Sequence, residues 1–280
     1  MQKSYIINSL NEYLTLYLDL TTNLRISYDE NSIHDLRVAI RRLISLLIII
    51  GEIRYSNICS NLIVRLRQQL KEFNRLRDTQ VELEEIRLKS LTFPELLLFT
   101  PELVATEQKY ILKLKTNIAN FDIIDIQKNV NLLQNFIQEN IHQNENLYEI
   151  AYRAAHSAYQ KVISRFHQAA SNDLDSIHKV RLVFKKFRYI VEVIQPFTRL
   201  TKADINKFKY FQTLLGSIQD NTVFTADLKK FIIKLNVDEE NFKNYLIYLT
   251  ETRNRLIEEF FSNNSQLVEL WSNELFVMDF

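Results

Sequence analysis

Apolar side chains recur along this chain at helical spacing, and that recurrence predicts one helix after another. Ile6, Leu10, Tyr13, Leu14 and Tyr17 mark a first helix over residues 3–23. Ile58, Leu62, Leu66, Leu70 and Phe73 mark another over 56–76, with Arg65, Arg67, Lys71, Arg75 and Arg77 on its other faces. A break at Arg77-Asp78 would set off a further helix over 79–90. Pro94 and Pro101 predict a loop or a short irregular turn at 92–101. Helical spacing resumes over 102–116, 125–141, 146–170, 202–216, 222–235, 239–262 and 264–276. In the 146–170 helix, Arg153, His156, Lys161 and Arg165 stand at spacings that share a surface. The polar run HQNEN at 142–146 divides the chain into two halves, 1–143 and 144–280.

Two further segments are versions of one another. SIHDLRVAIRRL at 32–43 returns 144 residues later as SIHKVRLVFKKF at 176–187. A repeat at half the chain length implies an internal duplication. At 100° per residue, His34, Arg37 and Arg41 fall within roughly 60° of arc, with Leu36, Ile40, Leu43 and Leu47 opposite. His178, Arg181, Lys185 and Arg188 form the matching stripe, backed by Val180, Phe184, Phe187 and Val191; Arg42 and Lys186 sit beside the stripes. Each helix thus has a cationic side and a core side. Ser32 with Asp35 fits a capping pattern, and Ser176 or Asp175 fits the cap of the second copy. Gly51 and Gln195-Pro196 suit the two ends. On this reading each histidine lies in a first turn, where unpaired amides and the helix dipole favour an anion. A single histidine so placed is ordinarily structural, and a single run of cations is ordinarily a solvated face. The recurrence of both together favours a binding role.

Composition supports the all-helical expectation. With 2 Gly and 3 Pro in 280 residues, turn punctuation is scarce, and 46% hydrophobic residues can bury a substantial core. One cysteine, Cys59, excludes an internal disulfide framework and fits a reducing compartment. The run Leu43–Ile50 is too short to span a bilayer, and the first residues lack a signal-peptide core, so the expectation is a cytoplasmic protein without membrane insertion. Net charge is only +1, but it is segregated: residues 31–80 hold nine cations against four acids, and 178–210 hold nine against two. Local field, rather than total charge, steers an anion.

The chain resembles the CHAD family, the conserved histidine α-helical domain. The resemblance is carried by HDLRVAIRRL at 34–43, HKVRLVFKKFRY at 178–189, LRDTQVEL at 76–83 and LLGSIQDNTVF at 214–224, and extends over nearly the whole chain. It implies an all-α fold of two pseudo-symmetric helical bundles around a basic groove or cavity. It also implies binding of inorganic polyphosphate without catalysis, and association with polyphosphate granules. Carried onto this sequence, the binding set is His34, Arg37, Arg41, Arg42, His178, Arg181, Lys185, Lys186 and Arg188, joined by Arg65, Arg75, Lys202 and Lys209 from the next helix of each half. Lys185 and Lys186 replace the arginines of the first copy and lack their planar fork. Ile44 stands where Arg188 stands, so the second stripe is expected to be the longer.

Other function classes compete. Nucleic-acid binding would use the same phosphate contacts, but the stripes lack interleaved aromatics for base stacking and no recognition-helix motif is present. A helical scaffold for an acidic protein partner is the third possibility. Phosphoryl chemistry would need clustered carboxylates. The nearest group, Glu82, Glu84 and Glu85, reads as a solvated helix face, and Ile86 stands where an ExExK motif requires lysine. No P-loop, HExxH or nucleophile motif is present. The expectation is a non-enzyme with no metal site and no cofactor.

Overall fold

In the computed structural model the described residues, 3–142 and 146–271, form eleven α-helices joined by short turns, and no strand occurs among them. The elements are α1 (Lys3–Leu24), α2 (Glu30–Ile53), α3 (Asn57–Glu72), α4 (Asn74–Lys89), α5 (Thr100–Ala119), α6 (Ile123–Asn140), α7 (Leu147–His167), α8 (Leu174–Ile194), α9 (Lys202–Leu235), α10 (Lys243–Ser262) and α11 (Asn264–Val268). Short 3-10 turns lie at Pro94–Leu98, Gln195–Phe197 and Glu239–Phe242. The run HQNEN falls between α6 and α7; its middle, like the tail beyond Trp271 expected to be helical to residue 276, lies outside the described residues.

The two duplicated segments are the central helices. α2 packs against α1, α3, α7 and α8, which explains the near-continuous apolar run from Leu43 to Ile50: its later turns meet neighbours on nearly every side. α8 is held between α7, α2 and α9. Their starts match at the same offset of 144 residues, but not at the serines. Asp29 caps α2 by accepting from the Ser32 amide, and Asp173 caps α8 by accepting from the amides of Asp175 and Ser176. Ser32 and Ser176 are third residues inside the helices. Each histidine is therefore in the second turn, where its amide is already bonded within the helix. The expected first-turn anion site does not exist at either histidine.

Other boundaries also shift. Gly51 lies within α2 with an ordinary helical backbone, and the helix closes at Arg54 in an extended conformation. The left-handed closing residue occurs instead at Asn236, with φ 51°, at the end of α9. The expected break at Arg77-Asp78 falls earlier, at Phe73, whose fully buried ring anchors the junction of α3 and α4. In the second half no such break occurs: α9 runs 34 residues, roughly 51 Å, straight through Gly216.

The reason for that length is visible in the core. Among the described residues two hydrophobic clusters are present, and both draw on residues from both halves. The larger is built on α1, α2, α3, α6, α7 and α8; the smaller joins the end of α4 and the start of α5 to the end of α9 and α10. α9 buries Phe208, Phe211, Leu214 and Leu215 in the first and Phe224, Leu228 and Phe231 in the second. Trp271 is buried in the larger cluster, edge-on to Phe187 with ring centroids 5.6 Å apart.

Candidate functional site

The cationic faces of α2 and α8 open onto one cavity of about 600 Å³, closed on its other sides by α3, α4 and α9. Arg37 and Arg41 reach it from α2, Arg181, Lys185 and Lys186 from α8, and Arg67 and Lys71 from α3. Against these seven basic side chains stand two carboxyl groups, Asp78 of α4 and Asp220 of α9. The placement follows from the opposition of faces on each helix. The apolar backs of α2 and α8 are drawn into the core, so the sides that cannot be buried are left facing the space between them.

Each cation is held by a particular neighbour or by none. Arg37 is mostly buried, and its Nη1 donates to Asn74 Oδ1 at 3.1 Å. Burial, with Arg41 next to it, lowers its pKa to about 9, which still leaves it charged at neutral pH. Arg181 is likewise lowered by burial, opposed by Asp220, and its Nε is buried without a protein acceptor. Lys185 is pushed furthest: burial, then the charges of Arg41, Arg181 and Arg37, bring it down to about 6. His178 Nδ1 hydrogen-bonds to Gln219 Oε1, leaving Nε2 as the free edge of the ring. Burial raises the carboxyl groups of Asp78 and Asp220, against the pull of the surrounding arginines and lysines. The cavity is a field of like charges, incompletely neutralised, with one buried donor, Arg181 Nε, lacking an acceptor. An anion supplies both the missing charge and the missing acceptor.

Not all of the expected residues arrive there. Arg37, Arg41, His178, Arg181, Lys185 and Lys186 are brought together. His34 is exposed on α2 and does not line the cavity; burial and then Arg77 lower its pKa. Arg42 turns to Glu192 of α8, Nε to Oε2 3.4 Å, and Arg188 pairs with the same glutamate while stacking on the Tyr189 ring, 4.5 Å from its centroid. The longer second stripe therefore does not materialise, and Ile44, opposite Arg188 in the repeat, forms part of the cavity wall. Arg65 pairs with Asp125 of α6 on another face of the molecule, and Arg75 pairs with Asp227 of α9. Lys202 and Lys209 lie exposed on α9, away from the cavity. For Arg42, Arg188, Arg65 and Arg75 a nearer acid claims the charge; His34, Lys202 and Lys209 are left on exposed faces.

Spacing alone leaves Arg67 and Lys71 as cations of other faces and gives no lining role to Asp78, Gln219 and Asp220, yet all five line the cavity. A signal for the last three existed. Asp78 lies within LRDTQVEL and Gln219-Asp220 within LLGSIQDNTVF, two blocks in corresponding places of the two halves. The carboxylate face predicted at 82–85 is also different. Glu84 is at the surface with Arg87, but Glu82 is 2% exposed against Asp227, and Glu85 Oε1 accepts from Tyr245 Oη at 3.2 Å. Burial, then the charge of Asp227, raises Glu82 to about 8, so at neutral pH it carries its proton beside that carboxylate. Against its burial, Asp227 itself is held charged, below its ordinary value, by Lys230 and Arg75.

No curated protein matches this chain in sequence. The family model for the CHAD domain matches residues 10–229. Among solved structures, the fold is similar to a crystal structure of the CHAD domain from the plant Ricinus communis, with TM-score 0.68 and 16% identity over 96% of this chain and 90% of the other. It is also similar to PptA from Streptomyces chartreusis, with TM-score 0.71 and 13% identity over 96% and 99% of the two chains.

Proposed function

This chain belongs to the CHAD-domain family, and from that premise we propose that it binds inorganic polyphosphate in the cavity between α2 and α8, without turning it over. The observation that carries the reading is the convergence of two duplicated cationic faces, with Arg67 and Lys71, on one concave surface. Polyphosphate is a chain of closely spaced like charges with no sequence to read, and rigid rows of cations suit it. The arginines present forked donors, and Lys186 and Lys71 act as point charges. His178, fixed through Nδ1 by Gln219, offers Nε2 to a phosphate oxygen when protonated. Asp78 and Asp220 offset part of the cavity's positive charge before an anion arrives, and both groups are already raised toward the neutral form.

Nucleic acid is the second reading, since it offers the same phosphate chemistry. One observation weighs against it. The aromatic ring in the cavity wall, Tyr189, is 5% exposed and covered by Arg188, with Arg41 6.0 Å from its centroid, so no base can stack on it. Association with polyphosphate granules in the cytoplasm belongs to the same proposal and follows from the ligand. Among the described residues no helix is long and apolar enough to cross a membrane.

The test is a salt titration of binding to long-chain polyphosphate, with tripolyphosphate, RNA and DNA of matched charge alongside. The expected result is preference for long-chain polyphosphate, steeply weakened by salt, with the polymer recovered uncut. Equal affinity for nucleic acid would favour the second reading, and shortening of the polymer that stops on chelation would replace binding by catalysis.

A further inference from the structure

A second groove, about 680 Å³ in volume, adjoins the cavity and shares Ile48, Arg67 and Lys186 with it. Its far wall is α7. Arg153, Ser157 and Lys161 line it at intervals of four residues, so they form a row along one face of that helix about 12 Å long. The floor is apolar, from Ala154, Ala158, Val183 and Ile190. One acid, Glu52, stands in the groove against Arg67, Arg153, Lys161 and Lys186. Arg153 carries an ion pair with Glu149 on its own helix, but both side chains are substantially exposed, and such a pair is weak and easily exchanged for a stronger anion. Lys161 carries no ion pair among the described residues. His156 and Arg165, which share the helix, do not line the groove. His156 stacks on Tyr152, and Arg165 bonds Gln168.

We infer that this groove is an extension of the polyanion site, which takes the part of a long phosphate chain that emerges from the cavity over Arg67 and Lys186. The inference rests on the polyphosphate reading and adds to it a direction for the chain and a physical basis for preferring long polymers. Arg67 and Lys186 are the bridge because they belong to both concavities; without them the two would be separate patches. A ligand of a few phosphates fills the cavity and never reaches α7. A longer one adds contacts with Arg153 and Lys161 in an already bound molecule, where the second encounter is intramolecular and each further contact is gained at high effective concentration. The apolar floor gives nothing for a base or a hydrogen-bonding partner to read, which suits a polymer recognised through its charge.

The experiment compares the full chain with two double variants, Arg153→Glu/Lys161→Glu in the groove and Arg41→Ala/Arg181→Ala in the cavity, each titrated with long-chain polyphosphate and with tripolyphosphate over a range of salt. The groove variant should lose about tenfold in affinity for the long polymer, with the slope of log affinity against log salt reduced by roughly two, and should bind tripolyphosphate as before. The cavity variant should bind both ligands about 100-fold more weakly. Charge-conserving Arg153→Lys/Lys161→Arg should retain the long-chain affinity, which a merely structural role would not require. Unchanged long-chain affinity and salt slope in the groove variant, beside a cavity variant that fails, would overturn the extension while leaving the polyphosphate site in place. Equal loss of tripolyphosphate in the groove variant would also overturn it, because the effect would then be a general one. Failure of the unmodified protein to bind either ligand would remove the polyphosphate reading itself.

Discussion

α2 and α8 begin alike and end in different circumstances. Both are capped by aspartate at the same offset, both place histidine in the second turn and arginine three residues on, and both bury their apolar backs. Yet His178 is bonded to Gln219 within the cavity wall, whereas His34 is exposed, with the positive charge of Arg77 acting on it. The divergence traces to one position of each half. Gln219 precedes Asp220, and Arg77 precedes Asp78; an amide accepts from the imidazole, but a guanidinium repels its charged form and turns to Glu30 instead. The helices that come next in each half differ too. α3 and α4 are separate helices hinged at Phe73, so Arg67 and Lys71 approach the cavity from one helix and Asp78 from the next, while α9 is unbroken and contributes a carboxylate but no cation. Duplication thus supplied two similar faces, and their neighbours made them unequal.

The largest expected effect is on that joint field. Arg41→Ala/Arg181→Ala takes one arginine from each face; at roughly 1.5–3 kcal/mol per charged hydrogen bond, less for exposed contacts, the affinity for long-chain polyphosphate should fall about 100-fold. Arg42→Ala/Arg188→Ala takes two residues of the same repeat that face Glu192 instead, and should change affinity by less than about threefold. Equilibrium titration at fixed salt measures both, and equal losses would mean that the cavity is not where the charge acts.

Next comes the joint between the halves. Arg75→Ala leaves Asp227 without one of its two partners and should cost roughly 2 kcal/mol of unfolding free energy while polyphosphate affinity holds. At the same joint, Glu82 has a folded-state pKa raised above its unfolded value. Its contribution to stability is therefore full below the ordinary carboxyl range and is lost as pH rises to about 8. Glu82→Gln should accordingly flatten the fall in melting temperature between pH 5 and 8. A variant that melts with the same pH profile as the parent would refute this assignment.

A smaller effect comes from Lys185 of α8. Lys185 titrates at about 6 in the ligand-free cavity and is raised when an anion arrives, so binding takes up a proton above that pH. Affinity should therefore decline by up to about tenfold from pH 6 to 8, and Lys185→Arg should remove much of the decline. Proton uptake measured calorimetrically in buffers of different ionisation enthalpy reads it directly. Smallest of all, His178→Gln should weaken binding a few-fold, whereas His34→Gln should leave it almost unchanged. The reverse ranking would mean that the two histidines have been assigned the wrong way round.

Much of this is legible in the chain. The apolar stripes name the helices because burial is periodic along a helix, and the scarcity of glycine and proline excludes most other folds. The two sides of α2 and α8 come from spacing alone. The caps stand three positions ahead of the serines that suggest them, because serine and aspartate cap equally well and only the backbone shows which one stands outside the helix. The break at Phe73 and the continuity through Gly216 are not legible. A buried aromatic can end one helix or lie within another, depending on whether a second cluster lies ahead to be reached, as it does for α9.

Helical periodicity alone makes this protein a helical array with two repeated cationic faces, because the angle between side chains on one helix is set by local geometry. Which of those cations meet is another matter. Arg42, Arg65 and Arg75 found acids on α8, α6 and α9, far away along the chain, and left the field; Arg67 and Lys71 entered it from α3. Charge acts through space, and only the packing of helices against one another decides which charges share that space.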